Sequence, residues 1–384
     1  MWPRLEVTPE RLRPVMRTVG EWVSSGRIPG AVTAIAADGV VVVEAFGLAR
    51  RVPVERALRD DSIFDLASVT KVTATLPLTL QLASEGRLEL DAPVGRYLPD
   101  AAWLQPEPTV KSARVRQLLT HTSGLPAWRP VYATSPSPAH ALQQFLQMPL
   151  ERPAGAAHVY SDIGLILLGE IVRRTGGERL DQAFRRRVAV PLGMADTGYR
   201  PFLPELPGTP GGVPEAPDPT PPDGRMVATE ACPWRGRVMA GEVHDENCWS
   251  LGGVAGHAGL FGTALDLVRY GLMWLGGGTL DGVQVLSDAA CREALRPQGG
   301  DESNRHGLGW FMPGPAAGSF GTGAPPGMFG HTGFTGTGLW VDPTRAVVTA
   351  LLTNRVHPSR QTDSGITELR GRFHEALREA VPPL

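Results

Sequence analysis

Strand-like apolar runs lie toward both ends of this chain, and helix-like runs fill its middle. Near the start, Ala31–Ala36 and Val40–Phe46 flank Asp38-Gly39, a dipeptide that favours a tight hairpin. Val40-Val41-Val42-Val43 has no polar alternation, so that strand is expected to be covered on both faces. The last third offers Gly307–Phe311, Phe329–Thr332, Gly338–Val341 and Ala346–Leu352, with Asp342–Arg345 turning the final pair. Between them, helices are expected at Val115–Leu119, Pro138–Met148, Ile163–Arg174, Leu180–Val190 and Thr263–Trp274. The simplest way to pair the end strands is an antiparallel sheet built from both termini. It would be flanked by a first helix at Thr8–Val23, which Thr8 can cap, and a last one at Ser364–Ala380. The fold class is therefore α/β of the α+β type, with a mainly helical part inserted. The expected division is 1–66 with 300–384 for the sheet and 67–299 for the helical part. The Pro- and Gly-rich stretch 201–224 is a surface excursion from the latter. A cleft between two such parts is a favoured place for a ligand.

Charge narrows the partners. A net charge of −2 gives no reason to expect nucleic acid or an anionic membrane, which leaves a small molecule. The cysteines Cys232, Cys248 and Cys291 are too few and too spread for a disulfide framework or a zinc site. The segment Met1–Glu6 lacks an apolar signal-peptide core, and no apolar run is long enough to cross a bilayer; a cytoplasmic location is the expectation.

The chemistry starts at Ser68-Val69-Thr70-Lys71. A long apolar run, Val72 to Ala83, follows and ends at Glu85-Gly86, so Ser68 is expected in the first turn of a buried helix that Pro77 would kink. Spacing of three puts Ser68 and Lys71 on one helix face. Burial and the positive helix end both disfavour a lysine cation, so Lys71 is a candidate to take a proton. A serine hydroxyl needs such a neighbouring base before it is an effective nucleophile. Free N–H groups at the helix start suit an oxyanion. Lys71 and Lys111 are the only lysines in the chain.

Two further motifs follow in order, Tyr160-Ser161-Asp162 and His331-Thr332-Gly333. With these three the sequence resembles the serine β-lactamase and penicillin-binding superfamily, most closely its class C-like branch with family VIII carboxylesterases and some D-peptidases. The stretches Gln117–Leu125, Gly253–Phe261 and Leu352–Arg355 look like that branch too, and the resemblance spans about Gly30 to Arg355. It implies a β-lactamase/transpeptidase-like fold and no cofactor or metal. It also implies Ser68 as the acylated nucleophile, and Lys71 and Tyr160 sharing the proton work. Asp162, His331, Thr332 and Gly333 would contact substrate, and the Ser68 and Phe334 backbone N–H groups would form the oxyanion hole. Two positions depart from class C β-lactamases, which carry asparagine at the Asp162 position and lysine at the His331 position. A carboxylate at 162 favours charged Lys71 and shifts the base role to Tyr160, unless Asp162 serves only as a helix cap. Histidine at 331 mostly lacks the charge that binds a substrate carboxylate. Both departures favour neutral esters over β-lactams, with a β-lactamase or D-peptidase as the alternative and a non-catalytic binding protein as a third reading. His121 reads as a structural loop residue, and His244-Asp245-Glu246 as a hydrogen-bonding pocket wall rather than a metal site. No intact G-x-S-x-G elbow occurs, since Ala317 stands two residues before Ser319.

Overall fold

Six strands, drawn from the two ends of the chain, set the frame. The computed structural model describes residues 8–102, 104–202, 224–298, 305–314 and 318–384. The 201–224 excursion lies almost wholly outside the described residues, as does the boundary at 300.

In chain order the elements begin with helix α1 (Pro9–Ser24), strands β1 (Gly30–Ala37), β2 (Val40–Arg50), β3 (Arg56–Ala57) and β4 (Phe64–Asp65), and helix α2 (Leu76–Ser84). The helical stretch continues with α3 (Val115–Leu119), α4 (Pro138–Leu146), α5 (Asp162–Gly176), α6 (Leu180–Phe184) and α7 (Val190–Leu192). Then come β5 (Gly198–Tyr199), β6 (Ala228–Cys232), β7 (Arg237–Ala240), α8 (Glu246–Ser250), β8 (Leu260–Gly262) and α9 (Ala264–Leu275). The chain closes with β9 (Thr279–Leu280), β10 (Val283–Gln284), α10 (Asp288–Leu295), β11 (Phe329–Thr332), β12 (Gly338–Asp342), β13 (Val347–Thr353) and α11 (Ile366–Ala380).

Both termini do build one antiparallel sheet, in the order β11-β12-β13-β1-β2-β3. Its centre is the pairing of β1 with β13, Ala31 opposite Thr353 through Ala37 opposite Val347. Asp38 and Gly39 both adopt positive φ and close the β1–β2 hairpin as that dipeptide favours. The apolar stripes of α1 and α11, including Leu12, Val15, Val19, Leu369 and Phe373, bury one face of the sheet. The other face is covered by α9, where a Cβ on Gly271 would collide with Val348, so the helix can lie close. That second core runs without a break into the helical part, joining Val32 and Val348 to Val72, Ile166 and Leu267.

Several expectations change. β2 is not covered on both faces: most of it is half-exposed and Val41 is 44% exposed, because only the two-residue β3 lies outside it. Gly307–Phe311 is not a strand. Gly309 takes φ +74° and the Gly307 N–H bonds the Trp310 carbonyl, leaving only isolated bridges at Phe311. Leu180–Val190 is two short helices joined by a π-helical turn. Thr8 sits at the start of α1 without a side-chain capping bond. Ser68 lies just ahead of its helix, which opens as a π turn, Lys71–Thr75, closed by the Leu76 N–H on the Lys71 carbonyl. Pro77 follows that π turn inside one unbroken helical run over residues 69–84. Among the described residues, no helix is long and apolar enough to cross a membrane.

Candidate active site

Asp65 organises the turn that presents Ser68. β4 pairs with β8, and the buried Asp65 carboxylate accepts the Ala67 N–H at 2.8 Å and the His244 N–H at 2.6 Å. Burial raises its pKa despite those two donors. Ala67 is held at φ +46°, a region that side chains rarely adopt. The chain therefore turns sharply between the strand and the helix, with Ser68 half-buried at the corner.

The third motif is bolted to the same corner. Thr335 Oγ1 donates to the Asp65 carbonyl at 2.8 Å and Thr337 Oγ1 to the Leu66 carbonyl at 3.0 Å. Gly333 has to be glycine, since a Cβ there would stand 2.6 Å from the Leu66 carbonyl oxygen. This docking brings residue 334 beside Ser68. Among the described residues, neither the Ser68 nor the Phe334 N–H donates to a protein acceptor. The Phe334 side chain is 48% exposed, stacked on His244 at 5.7 Å and covered by the Arg355 guanidinium at 4.7 Å.

Lys71 is buried beside Ser68. Its Nζ donates to Ser68 Oγ at 2.7 Å and to the His257 carbonyl at 3.2 Å, and it pairs with Asp162 Oδ1 at 2.8 Å. Burial opposes its charge, but Asp162 and then Tyr160 outweigh burial, and its pKa is raised above the ordinary 10.5. Of the two opposing expectations for Lys71, burial and the carboxylate at 162, the carboxylate is the stronger and favours the cation. Asp162 is free to do so because Ser161, not Asp162, caps α5, its Oγ accepting the Gly164 N–H at 3.1 Å. Tyr160 stands over Lys71, its ring centroid 4.9 Å from Nζ. Burial raises its phenol pKa; Lys71 pulls it down and Asp162 pushes it up, and the group rests neutral. The site thus groups a carboxylate, a phenol and a hydroxyl around one ammonium.

His331 lies on β11, fully buried, with its Nδ1–H donating to the Thr332 carbonyl at 2.9 Å and its ring stacked on Phe311 at 4.2 Å. Burial, then Lys71, push its pKa well below 6.5. It is a neutral wall, whereas Thr332 beside it is half-buried.

Three contributors were not singled out as site residues from the sequence. Asp65 sets the corner. His257 supplies the carbonyl to Lys71, and its Nε2–H donates to Asp245 at 2.9 Å. His121 packs on Tyr160 at 4.4 Å. The Asp245 carboxylate also caps α8; burial opposes its charge, but His257 and the Cys248 N–H hold its pKa well below the usual range. His244 donates to Glu230 and Glu246 pairs with Arg360, so the 244–246 triplet braces the wall of the cleft. Among the described residues, no cluster of three His, Cys, Asp or Glu is arranged to hold a metal ion.

Comparison with known proteins places this geometry in context. A family profile described as Beta-lactamase matches residues 12–370. A provisionally named D-alanyl-D-alanine carboxypeptidase of Escherichia coli (strain K12) is 32% identical over 91% of this chain and 83% of its own length. An N-acetylmuramyl-L-alanine amidase of Bacillus subtilis (strain 168) is 31% identical over 91% and 82%. Among solved structures, EstCE1, a hydrolase with promiscuous acyltransferase activity, superposes with a TM-score of 0.71 at 22% identity, covering 96% of this chain and 98% of that one.

Proposed function

The chain belongs to the Beta-lactamase family, and from that premise we propose a serine hydrolase that acts through an acyl-serine, on carboxylic esters of modest size. The observation that carries this reading is the contact of Lys71 Nζ with Ser68 Oγ at 2.7 Å and Asp162 at 2.8 Å, with the Tyr160 ring 4.9 Å from the same Nζ. Ser68 Oγ attacks the ester carbonyl. Its proton passes to the Tyr160 oxygen as the Tyr160 proton passes to the leaving alkoxide, which departs as the alcohol. Lys71 remains an ammonium and steadies the charge. The Ser68 and Phe334 N–H groups hold the oxyanion, donors worth about 3–4 kcal/mol each in other hydrolases. Water then attacks the acyl-serine; its proton passes to the Tyr160 oxygen as the Tyr160 proton passes to Ser68 Oγ, the Oγ–acyl bond breaks and the carboxylic acid is released.

Neutral substrates fit the walls. His331 is buried and uncharged, so it offers no cation to a substrate carboxylate. Exposed rings flank the site: Phe334 beside one oxyanion donor, and Trp128 next to Ala127, whose carbonyl accepts the Asp162 N–H. A second reading, a D-peptidase or β-lactamase, is favoured by the name of the Escherichia coli relative and by the description of the family profile.

One panel separates the readings: a p-nitrophenyl ester, a chromogenic cephalosporin and a D-Ala-D-Ala peptide, each with wild type and Ser68→Ala. Ester turnover that outpaces the other two and depends on Ser68 supports the esterase. Fast cephalosporin or peptide turnover with poor ester turnover reverses the order. His331→Lys is expected to lower KM for the carboxylate-bearing substrates only; an unchanged KM contradicts the charge argument.

A further inference from the structure

We propose that His121 is the positioning residue for Tyr160, an inference that rests on Tyr160 handling the serine proton. His121 grips all three residues around the phenol. Its carbonyl accepts the Val159 N–H at 2.8 Å, its ring lies on the Tyr160 ring at 4.4 Å, and its Nδ1 accepts the Ser161 N–H at 3.0 Å. A φ of +55° lets one residue do this, turning its carbonyl and its ring toward the same strand of chain. The flanking loop is itself pinned. The Thr122 N–H bonds the Gln117 carbonyl, Thr122 Oγ1 meets Thr120 Oγ1 at 2.9 Å, and the Thr122 carbonyl accepts the Gly155 N–H. Further along, Ser161 Oγ donates to the Pro126 carbonyl and the Asp162 N–H to the Ala127 carbonyl. The tyrosine motif is thus laid out against residues 121–127, with His121 at the tyrosine itself.

The bond to Ser161 fixes the chemistry of the ring. Nδ1 must be an acceptor, so the proton sits on Nε2, which has no protein partner among the described residues. A protonated ring would set a donor against the Ser161 N–H and release the grip. Burial opposes that protonation first, then His306, Lys71, His158 and His331; the Tyr160 phenol across its face is uncharged. The grip therefore holds across the working pH range.

Asparagine tolerates positive φ and carries Oδ1 about where Nδ1 sits; glycine tolerates it too and carries nothing. His121→Gly and His121→Asn are compared by kcat and KM on a p-nitrophenyl ester across pH. The Tyr160 titration is followed by tyrosine ¹³Cζ NMR, its signal assigned by its absence in Tyr160→Phe. The glycine variant is expected to lose about 10²-fold or more in kcat with KM nearly unchanged, the scale of loss from small misplacements. Its Tyr160 titration should move, and asparagine should restore both readouts to within about tenfold. If the glycine variant fails to fold, His121→Phe, which keeps a ring and loses only the acceptor, carries the same expectation. A folded glycine or phenylalanine variant with wild-type kcat and Tyr160 titration overturns the proposal, as does failure of asparagine to restore them. If wild type shows no Ser68-dependent turnover, the hydrolase reading fails, and the NMR titration still decides the role of His121.

Discussion

The proton on Lys71 is contested by burial, which would remove it, and by Asp162, which holds it there. The outcome makes a pH prediction. Asp162 raises the pKa of both Lys71 and Tyr160, so Asp162→Asn should let both deprotonate at lower pH. Both act in their protonated forms in the mechanism above, so the alkaline limb of the kcat/KM profile is expected to move to lower pH; a limb that stays in place contradicts the assignment. The sign for stability follows from the same shift. A folded pKa above the ordinary 10.5 contributes stability that is complete below pH 10.5 and is lost as pH climbs through the raised value. Thermal denaturation of wild type against Asp162→Asn should show the pair's contribution through neutral pH and its loss only in strong alkali. Ser68, Lys71 and Tyr160 were legible in the sequence because their motifs are short and local. Asp65 and His257 were not, because their partners, His244 and Lys71, stand 179 and 186 residues away. His121 was read only as a structural loop residue, since nothing in its own stretch announces that it lies on Tyr160.

Elements position the site through close backbone approach. The segment before β8 crosses α5 at Gly256 and Gly169; a Cβ on Gly256 would stand 2.9 Å from the Gly169 nitrogen and closer still to the Leu165 carbonyl. Thr75 Oγ1 donates to the Gly256 carbonyl at 2.7 Å, and the next carbonyl, His257, receives Lys71. Gly256→Ala is therefore expected to cost about 1–3 kcal/mol in urea unfolding, as overpacking does. Ester turnover should fall further than stability alone accounts for, because the His257 carbonyl moves. Unchanged stability would mean that this crossing is looser than the structure has it. Helix ends were readable only in part: α5 stops at Gly177, φ +70°, but its cap is Ser161 rather than Asp162, and Thr8 makes no side-chain capping bond. The errors came where neighbours decide. A run of valines says nothing about how much strand lies outside β2, and strand-like composition at Gly307–Phe311 does not reveal the tight turn at Gly309.

Across the whole molecule, a charge network ties the cleft wall to the chain's end. Glu230 accepts from His244 at 3.1 Å and from Arg360 Nε at 2.7 Å, and Arg360 reaches Glu246 at 2.6 Å. Burial alone would raise the Glu230 pKa; His244 and Arg360 outweigh it and bring the carboxyl down to about 2. Its contribution is present above the ordinary 4.5 and fades as pH falls through about 2. The Tm difference between wild type and Glu230→Gln should be full at neutral pH and close between pH 4.5 and about 2; a difference independent of pH contradicts this. The central claim concerns one covalent bond. Wild type mixed with a p-nitrophenyl ester, quenched in acid within a turnover and examined by intact mass and peptide mapping, should carry one acyl group on the peptide containing Ser68. Ser68→Ala should carry none and release no nitrophenol above background. Equal hydrolysis by Ser68→Ala, or an acyl group mapped to any other residue, would contradict the account.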